Sequence, residues 1–377
     1  MTPKQRMMTA MNKGQPDRVP AAPDMSNMIP CRLTGKPFWD IYLYQNPPRW
    51  LAYIKTVKYF GTDGWLDSVP LEFPDEVETR QRQPQWREAI VHRTEDRIYT
   101  RHHLNDGANH VWSSFCNVYY RADSPTHGVP LAKVGLPEAP PNSWEEVIPK
   151  NSYSGLEAFQ TARREMGDLG VVGVPIGLPG LGLAPECVYE YYDHPERVIE
   201  RCQRQHDATV QRIRRLVTLK PDFVLIGISG FMISNPEPIF RQLALPTLQA
   251  ITAICKDVGV ISQIHCCGPE RDLVRIAAEE SDLNSINPLE IPPMGDCDLA
   301  QIKREYGSRL SLMGNLHTTD VMLRGTPKTV KEASRKAIQD AADGGGFILS
   351  TGDQCGRDTP DENILAMIEA VVEFGNY

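Results

Sequence analysis

No stretch of the 377 residues approaches the ~20 consecutive apolar side chains that a bilayer-spanning helix requires, so no membrane-embedded role is expected. The opening segment, Met1 to Pro20, is polar and lacks the apolar centre of a secretory signal. Basic runs are missing too. Lys and Arg number 40 against 48 Asp and Glu, a formal charge of −8. Phosphate neutralisation needs clustered cations, so nucleic acid is not an expected partner. The nine cysteines are odd in number and carry no short-spaced framework. That argues against a disulfide scaffold and for a reducing, cytoplasmic setting in which thiolates serve metals or catalysis. Disordered and fibrous classes also fall away, because 41% hydrophobic and 23% charged residues are ordinary globular values.

What is present is an alternation of strand-like and helix-like segments. Length alone allows two or three domains at ~150 residues each, or a single α/β barrel of ~250 residues with insertions. Met7, Met8 and Met11 give residues 3–13 one apolar face at helical spacing. The phrase Asp17-Arg18-Val19-Pro20 then leads into a first apolar run ending near Asp24, and Gly64-Trp65-Leu66 forms a second, ending at Asp67. Six more follow, at Val171–Ile176, Phe223–Ile226, Val260–Ile264, Asn284–Ile286, Leu310–Met313 and Phe347–Leu349. Most are continuous and β-branched, as parallel strands buried on both faces are. Helical patterns separate them, clearest at 194–219, 236–258, 269–280, 327–343 and 360–374. Thr359-Pro360-Asp361-Glu362 reads as a capping box, and Asn235-Pro236 and Thr326-Pro327 read as N-caps followed by Pro. Eight such units predict one (β/α)8 barrel spanning residues 1–377. Residues 75–150 break the rhythm. Ile90–Arg93, Ile98–His103 and Val111–Tyr119, separated by turns at Glu95-Asp96 and Asn105-Asp106-Gly107, predict an antiparallel insertion of two or three strands at the barrel mouth.

Barrel enzymes carry their chemistry just past the strand ends, and polar residues gather there. After the fifth expected strand comes His265-Cys266-Cys267-Gly268. Alternation in extended chain turns His265 and Cys267 to one face and Cys266 to the other, where it packs outward against a helix. A His and a thiolate on one face form a natural pair of zinc ligands. Glu290 follows the sixth strand and Cys355 the eighth, so His265, Cys267, Glu290 and Cys355 are expected to converge. The plainer reading is a buried Cys acting as a small hydrophobe. Cys31, Cys116, Cys187, Cys202, Cys255 and Cys297 have no partner pattern and are read that way. Asp24, Asp67, Ser229, Asn315 and His317 also lie at or past strand ends. They are candidates to line a pocket, Asp67, Asn315 and His317 as catalytic groups and Asp24 and Ser229 as cofactor contacts. Capping or loop closure competes for Asp24 and Asp67, and a simple loop role for His317. Phe38, Trp39, Tyr42, Tyr44 and Trp50 would wall an aromatic site such as one for a methoxylated phenol, although core or interface packing is the commoner reason for such a group. Gly177 to Gly182 and Gly344 to Gly346 allow close backbone approach, without the following helix signature of a phosphate loop.

The chain resembles the uroporphyrinogen decarboxylase superfamily, and within it the cobalamin-dependent methyltransferase branch. The likeness rests on Asp17-Arg18-Val19-Pro20, His265-Cys266-Cys267-Gly268, Gly314-Asn315-Leu316, Gly352-Asp353-Gln354-Cys355 and Thr359-Pro360-Asp361-Glu362-Asn363. His-x-Cys followed far along the chain by Cys355 is similar to the zinc motif of methylcobalamin:thiol methyltransferases. With Glu290 between them, the set resembles that of cobalamin-independent methionine synthase. The decarboxylase itself is matched less well. Asp67 falls where it has its essential Asp, but Met25 to Lys36 holds only Arg32 and Lys36 where it has an arginine-rich signature for several carboxylates.

The resemblance implies a zinc-dependent methyltransferase working with methylcobalamin or another corrinoid, on a small methylated substrate or thiol. None of the nine His sits in an Asp-x-His-x-x-Gly cobalamin motif, so the corrinoid is expected on a separate protein, with the 75–150 insertion as its docking surface. A homodimer stays open. The competing readings are a decarboxylase or lyase on the same barrel and a non-catalytic barrel that binds a ligand or partner.

Overall fold

A computed structural model describes every residue except Asp106, Ala108 and Asn109, so the middle of the expected Asn105-Asp106-Gly107 turn lies outside the described residues. The strands, in chain order, are β1 (Gly64–Leu66), β2 (Arg87–Arg93), β3 (Arg97–Asn105), β4 (His110–Tyr120), β5 (Thr126–Pro130), β6 (Glu145–Glu146), β7 (Gly170–Ile176), β8 (Phe223–Gly227), β9 (Ile261–His265), β10 (Ser285–Asn287), β11 (Ser311–Leu316) and β12 (Phe347–Thr351). The chain forms two compact units. One comprises Met1–Asp24, Val57–Val69 and Met166–Tyr377; the other comprises Met25–Thr56 and Pro70–Glu165.

The first unit is a curled parallel sheet in the order β1-β7-β8-β9-β10-β11-β12, with helices between successive strands. Its strands are the buried apolar runs of the sequence, and their pairing places Gly227 beside His265 and His265 beside Asn287. Seven strands form, not eight. The expected first strand makes only an isolated parallel bridge, Ala21 to Leu349. Pro20 and Pro23 bracket Ala21-Ala22 and remove the amide donors that a longer ladder needs. The segment still occupies the gap. Leu349 N–H donates to Pro20 O (3.0 Å), Ala22 N–H donates to Leu349 O (2.9 Å), and Asp63 N–H, next to β1, donates to Ala21 O (2.9 Å).

Inward side chains fill the sheet's interior. Trp65, Val171, Phe223, Leu225, Ile261, Met313 and Ile348 form one buried cluster with Met7 and Met11 of the helix Pro3–Met11. Trp65 stacks on Phe223 (centroids 6.2 Å apart) and donates its Nε1–H to Gln263 Oε1 at 2.8 Å, which satisfies both buried polar groups. The Asp17-Arg18-Val19-Pro20 phrase has a structural role here. Asp63, 1% exposed, accepts from Arg6 Nη1 (2.5 Å), Arg18 Nη1 (3.2 Å) and Ala21 N (2.9 Å), while Asp17 takes Arg6 Nε (2.8 Å).

Two expected caps are not formed. The last helix starts at Asp361 behind Pro360, without a capping hydrogen bond from Thr359. Asn235 turns its side chain to Leu181, accepting its N–H at 2.8 Å and donating to its carbonyl at 3.0 Å. Thr326 does cap, accepting Thr329 N–H at 3.3 Å. Among the described residues no helix is long and apolar enough to cross a membrane.

The second unit is larger than the expected 75–150 insertion. Its antiparallel sheet has five strands, ordered β5-β4-β3-β2-β6. The short edge strands β5 and β6 carry little alternation and were invisible as sequence pattern. Residues Met25–Thr56 join it because their aromatic side chains pack on the sheet. Leu43, with Trp39, Tyr42 and Tyr44, clusters with Ile90, Ile98 and Tyr119. The aromatic group between Phe38 and Trp50 therefore serves as core.

Candidate metal centre

β9 ends at His265, and backbone hydrogen bonds from both neighbouring segments hold the residues that follow. Ile228 N–H donates to His265 O (2.9 Å), Gly230 N–H to Cys267 O (3.0 Å), and Cys266 N–H to Asn287 O (2.9 Å). Alternation works as the sequence dictates. Cys267 Sγ lies 3.2 Å from His265 Nε2, whereas Cys266 is fully buried against the neighbouring helix Phe231–Ser234, whose backbone amides touch its sulfur. Gly268 takes φ 98°, a conformation natural to glycine, and its N–H donates to Glu290 Oε2 at 2.6 Å.

A third donor comes from the far end of the chain. Asp353, just past β12, brings a carboxylate oxygen into a set with His265 and Cys267 whose ligand atoms all lie within 4.8 Å of one another. Sequence reading does not single this residue out as a candidate ligand, although it sits inside the quoted Gly352-Asp353-Gln354-Cys355 motif. The two other expected ligands stand outside the set. Cys355 is 1% exposed and its N–H donates to Asp24 O (2.8 Å). Glu290 spends one oxygen on the Gly268 amide.

Without a cation, the electrostatics favour the protonated, neutral forms of these groups. Burial pushes the Cys267 thiol well up, and the Asp353 and Glu290 carboxylates push it further. Burial likewise raises Glu290, with Asp353 adding to the shift and the Gly268 amide opposing it. Cys355 is pushed up to about 12 by burial, with Asp24 contributing. His265 Nδ1 is buried without a hydrogen-bond partner. One imidazole, one thiol and one carboxylate at this spacing are a donor set that fits zinc.

The remaining candidates surround this set. Ser229 Oγ lies 3.4 Å from Cys267 Sγ. Asn315 is buried and donates its Nδ2–H to Leu289 O at 3.1 Å, steadying the loop that carries Glu290. His317 caps the helical turn Thr318–Leu323, its Nδ1 accepting from Thr319 N (3.2 Å) and Asp320 N (3.0 Å), which leaves Nε2 to carry the proton. Asp24 is buried, its N–H donating to Thr351 Oγ1 at 3.0 Å, and so ties the β12 end to the Pro20–Asp24 segment. Asp67 follows β1 and accepts Ser68 N–H at 2.7 Å, outside the ligand set. Sequence reading also passed over Glu270. It is fully buried, accepts Leu289 N–H at 2.7 Å and mirrors the Glu290–Gly268 bond, so each loop's carboxylate holds the other loop's backbone.

The methylcobamide:CoM methyltransferase of Methanosarcina mazei is 27% identical over 135 residues, 36% of this chain and 37% of that protein. The uroporphyrinogen decarboxylase of Coxiella burnetii is 31% identical over 77 residues, 20% of this chain and 21% of that protein. The chain thus matches well under two-thirds of either relative's length. A solved methyltransferase structure from Methanosarcina mazei shares the fold, with a TM-score of 0.64 over 99% of both chains at 16% identity. The model of the uroporphyrinogen decarboxylase (URO-D) family matches residues 169–374, more than half of the sequence, and the chain belongs to that family.

Proposed function

We propose that this protein is a zinc-dependent methyltransferase of a corrinoid system, moving a methyl group between a small methylated compound or thiol and cobalamin held by another protein. The observation that carries the reading is the approach of Cys267 Sγ to His265 Nε2, 3.2 Å, with Asp353 in the same set. The family and the methyltransferase likenesses support it. The seven strands with Pro20–Ala22 in the eighth position are read as the closed (β/α)8 barrel of such enzymes.

His265, Cys267 and Asp353 would hold the zinc, with Cys355 or Glu290 as the further ligand. When bound, zinc supplies a Lewis acid that stabilises a substrate thiolate as nucleophile or leaving group. The chain's own residues do the positioning. Glu270 and Glu290 lock the two loops behind the centre, and Asn315 anchors the second loop. Ser229 offers a hydroxyl to the Cys267 sulfur from the side of β8. Methyl transfer is a displacement, so alignment of donor and acceptor at this fixed centre is the main catalytic contribution.

The test is elemental analysis of the purified protein together with methyl transfer from methylcobalamin to a thiol. One zinc per chain, with both metal and transfer lost in His265→Ala and Cys267→Ala, is expected. A metal-free chain that decarboxylates a small carboxylate instead would refute the reading.

A further inference from the structure

A cavity of ≈ 480 Å³ opens where β7 and β8 end. Its walls are the loop Gly177–Leu183, the segment from Gly227 to Phe231, and Gln205 and Thr209 of the helix Pro195–Leu216. Ser229 lines it and also approaches Cys267 Sγ, so the cavity and the metal centre share a wall. Its size falls in the roughly 300–1,000 Å³ range of small-molecule sites.

The glycines of this cavity differ in kind. A Cβ on Gly180 would lie 2.3 Å from the Phe231 ring, so packing requires glycine there, and one on Gly182 would lie 3.1 Å from Cys187 Sγ, a tight approach. Gly177 and Gly227 meet no such demand. A Cβ at either would touch nothing within 4 Å, and neither adopts a left-handed φ. Backbone geometry gives no reason for glycine there; what these two positions preserve is open volume at the strand ends.

The lining chemistry narrows what fills that volume. Leu178, Leu183, Ile228 and Phe231 are apolar, the polar groups are the uncharged Gln205, Thr209, Ser229 and Ser234, and no charged side chain is among the lining residues. An anionic group seated on these walls would meet no counter-charge among them and would lose its hydration. We propose that this cavity is the subsite for a small uncharged ligand, a neutral thiol or methyl ether whose apolar part rests on the leucines and whose sulfur or oxygen faces Ser229. The ligand's identity as a methyl donor or acceptor rests on the methyltransferase reading above; the neutrality of the site does not.

Isothermal titration of the zinc-loaded protein with propanethiol and with mercaptopropanesulfonate keeps sulfur and chain alike and changes the charge. The neutral probe is expected to bind at least about tenfold more tightly. Gly177→Phe and Gly227→Leu should each weaken it by about tenfold or more at unchanged zinc content, and Thr209→Lys should narrow the preference between the probes. Either filling variant suffices if the other fails to fold, as judged by circular dichroism. Equal affinity for the two probes, or undiminished binding in the filling variants, overturns the proposal. Methyl transfer measured on the same proteins separates the two readings. Selective binding without transfer supports the subsite and removes the methyltransferase. Undiminished transfer to the sulfonate in both filling variants removes the subsite and keeps the methyltransferase.

Discussion

Cys266 and Cys267 are adjacent in sequence and opposite in consequence, which makes their alanine variants a direct test of the centre. Structural zinc in four-donor sites binds with an apparent free energy of roughly 10–16 kcal/mol at neutral pH, so one donor of four accounts for about 2.5–4 kcal/mol. Cys267→Ala should therefore weaken zinc by roughly 10²–10³ in affinity. Cys266→Ala removes a fully buried sulfur that faces the helix Phe231–Ser234, not the metal set. Its cost is a small core truncation, about 1 kcal/mol, with zinc affinity unchanged. At this chain length that lowers the melting temperature by only about 1 °C. Competition against a chromophoric chelator reads the first effect and thermal melting reads the second. The pH dependence has a definite sign. Cys267 is held protonated in the metal-free protein by burial and by Asp353 and Glu290, and zinc must displace that proton. Affinity should thus rise with pH, about tenfold per unit for each thiol deprotonated. A slope of one identifies Cys267 alone; a slope of two adds Cys355, whose thiol is also pushed up, to about 12. Zinc lost in Cys266→Ala and kept in Cys267→Ala would refute the face assignment, and no change in either would refute the site.

Three further outcomes are expected. Asp353→Ala should reduce zinc affinity about as much as Cys267→Ala, roughly 10²–10³; if Cys355→Ala alone abolishes binding, the working set is the thiolate one. Glu270 is fully buried with its carboxyl raised by desolvation, so the folded state keeps a proton that the unfolded chain has released. Stability should then fall as pH rises above the ordinary Glu range toward the raised value, and Glu270→Gln, which retains an acceptor for Leu289 N–H, should flatten that fall. Parallel melting curves from pH 6 to pH 9 would count against it. Asp63→Asn removes the shared partner of Arg6 and Arg18. Arg6 keeps Asp17, so the loss should sit at the lower end of the range for broken buried pairs, about 3 kcal/mol by urea denaturation. A loss under about 1 kcal/mol would place this network among ordinary surface pairs.

Period-two alternation running on past the end of β9 places His265 and Cys267 on one face and Cys266 on the other, and that is a property of extended chain that local sequence determines by itself. Runs without polar side chains likewise mark β7 and β8, because burial on both faces leaves little room for polar alternation. What tertiary structure decided depends on segments far apart in the chain. Asp353 reaches the centre because β12 closes next to Pro20–Ala22, and Gly352 N–H bonds to Leu316 O at 2.7 Å, setting where the loop turns. That the proline-interrupted first segment bridges Leu349 of β12 is likewise a matter of packing. Glu270 carries no periodic signal; its role exists only because the loop after β9 lies against the loop after β10. Periodicity reports how a segment is buried, whereas ligand sets and loop ties depend on which distant segments meet, and that is settled by packing.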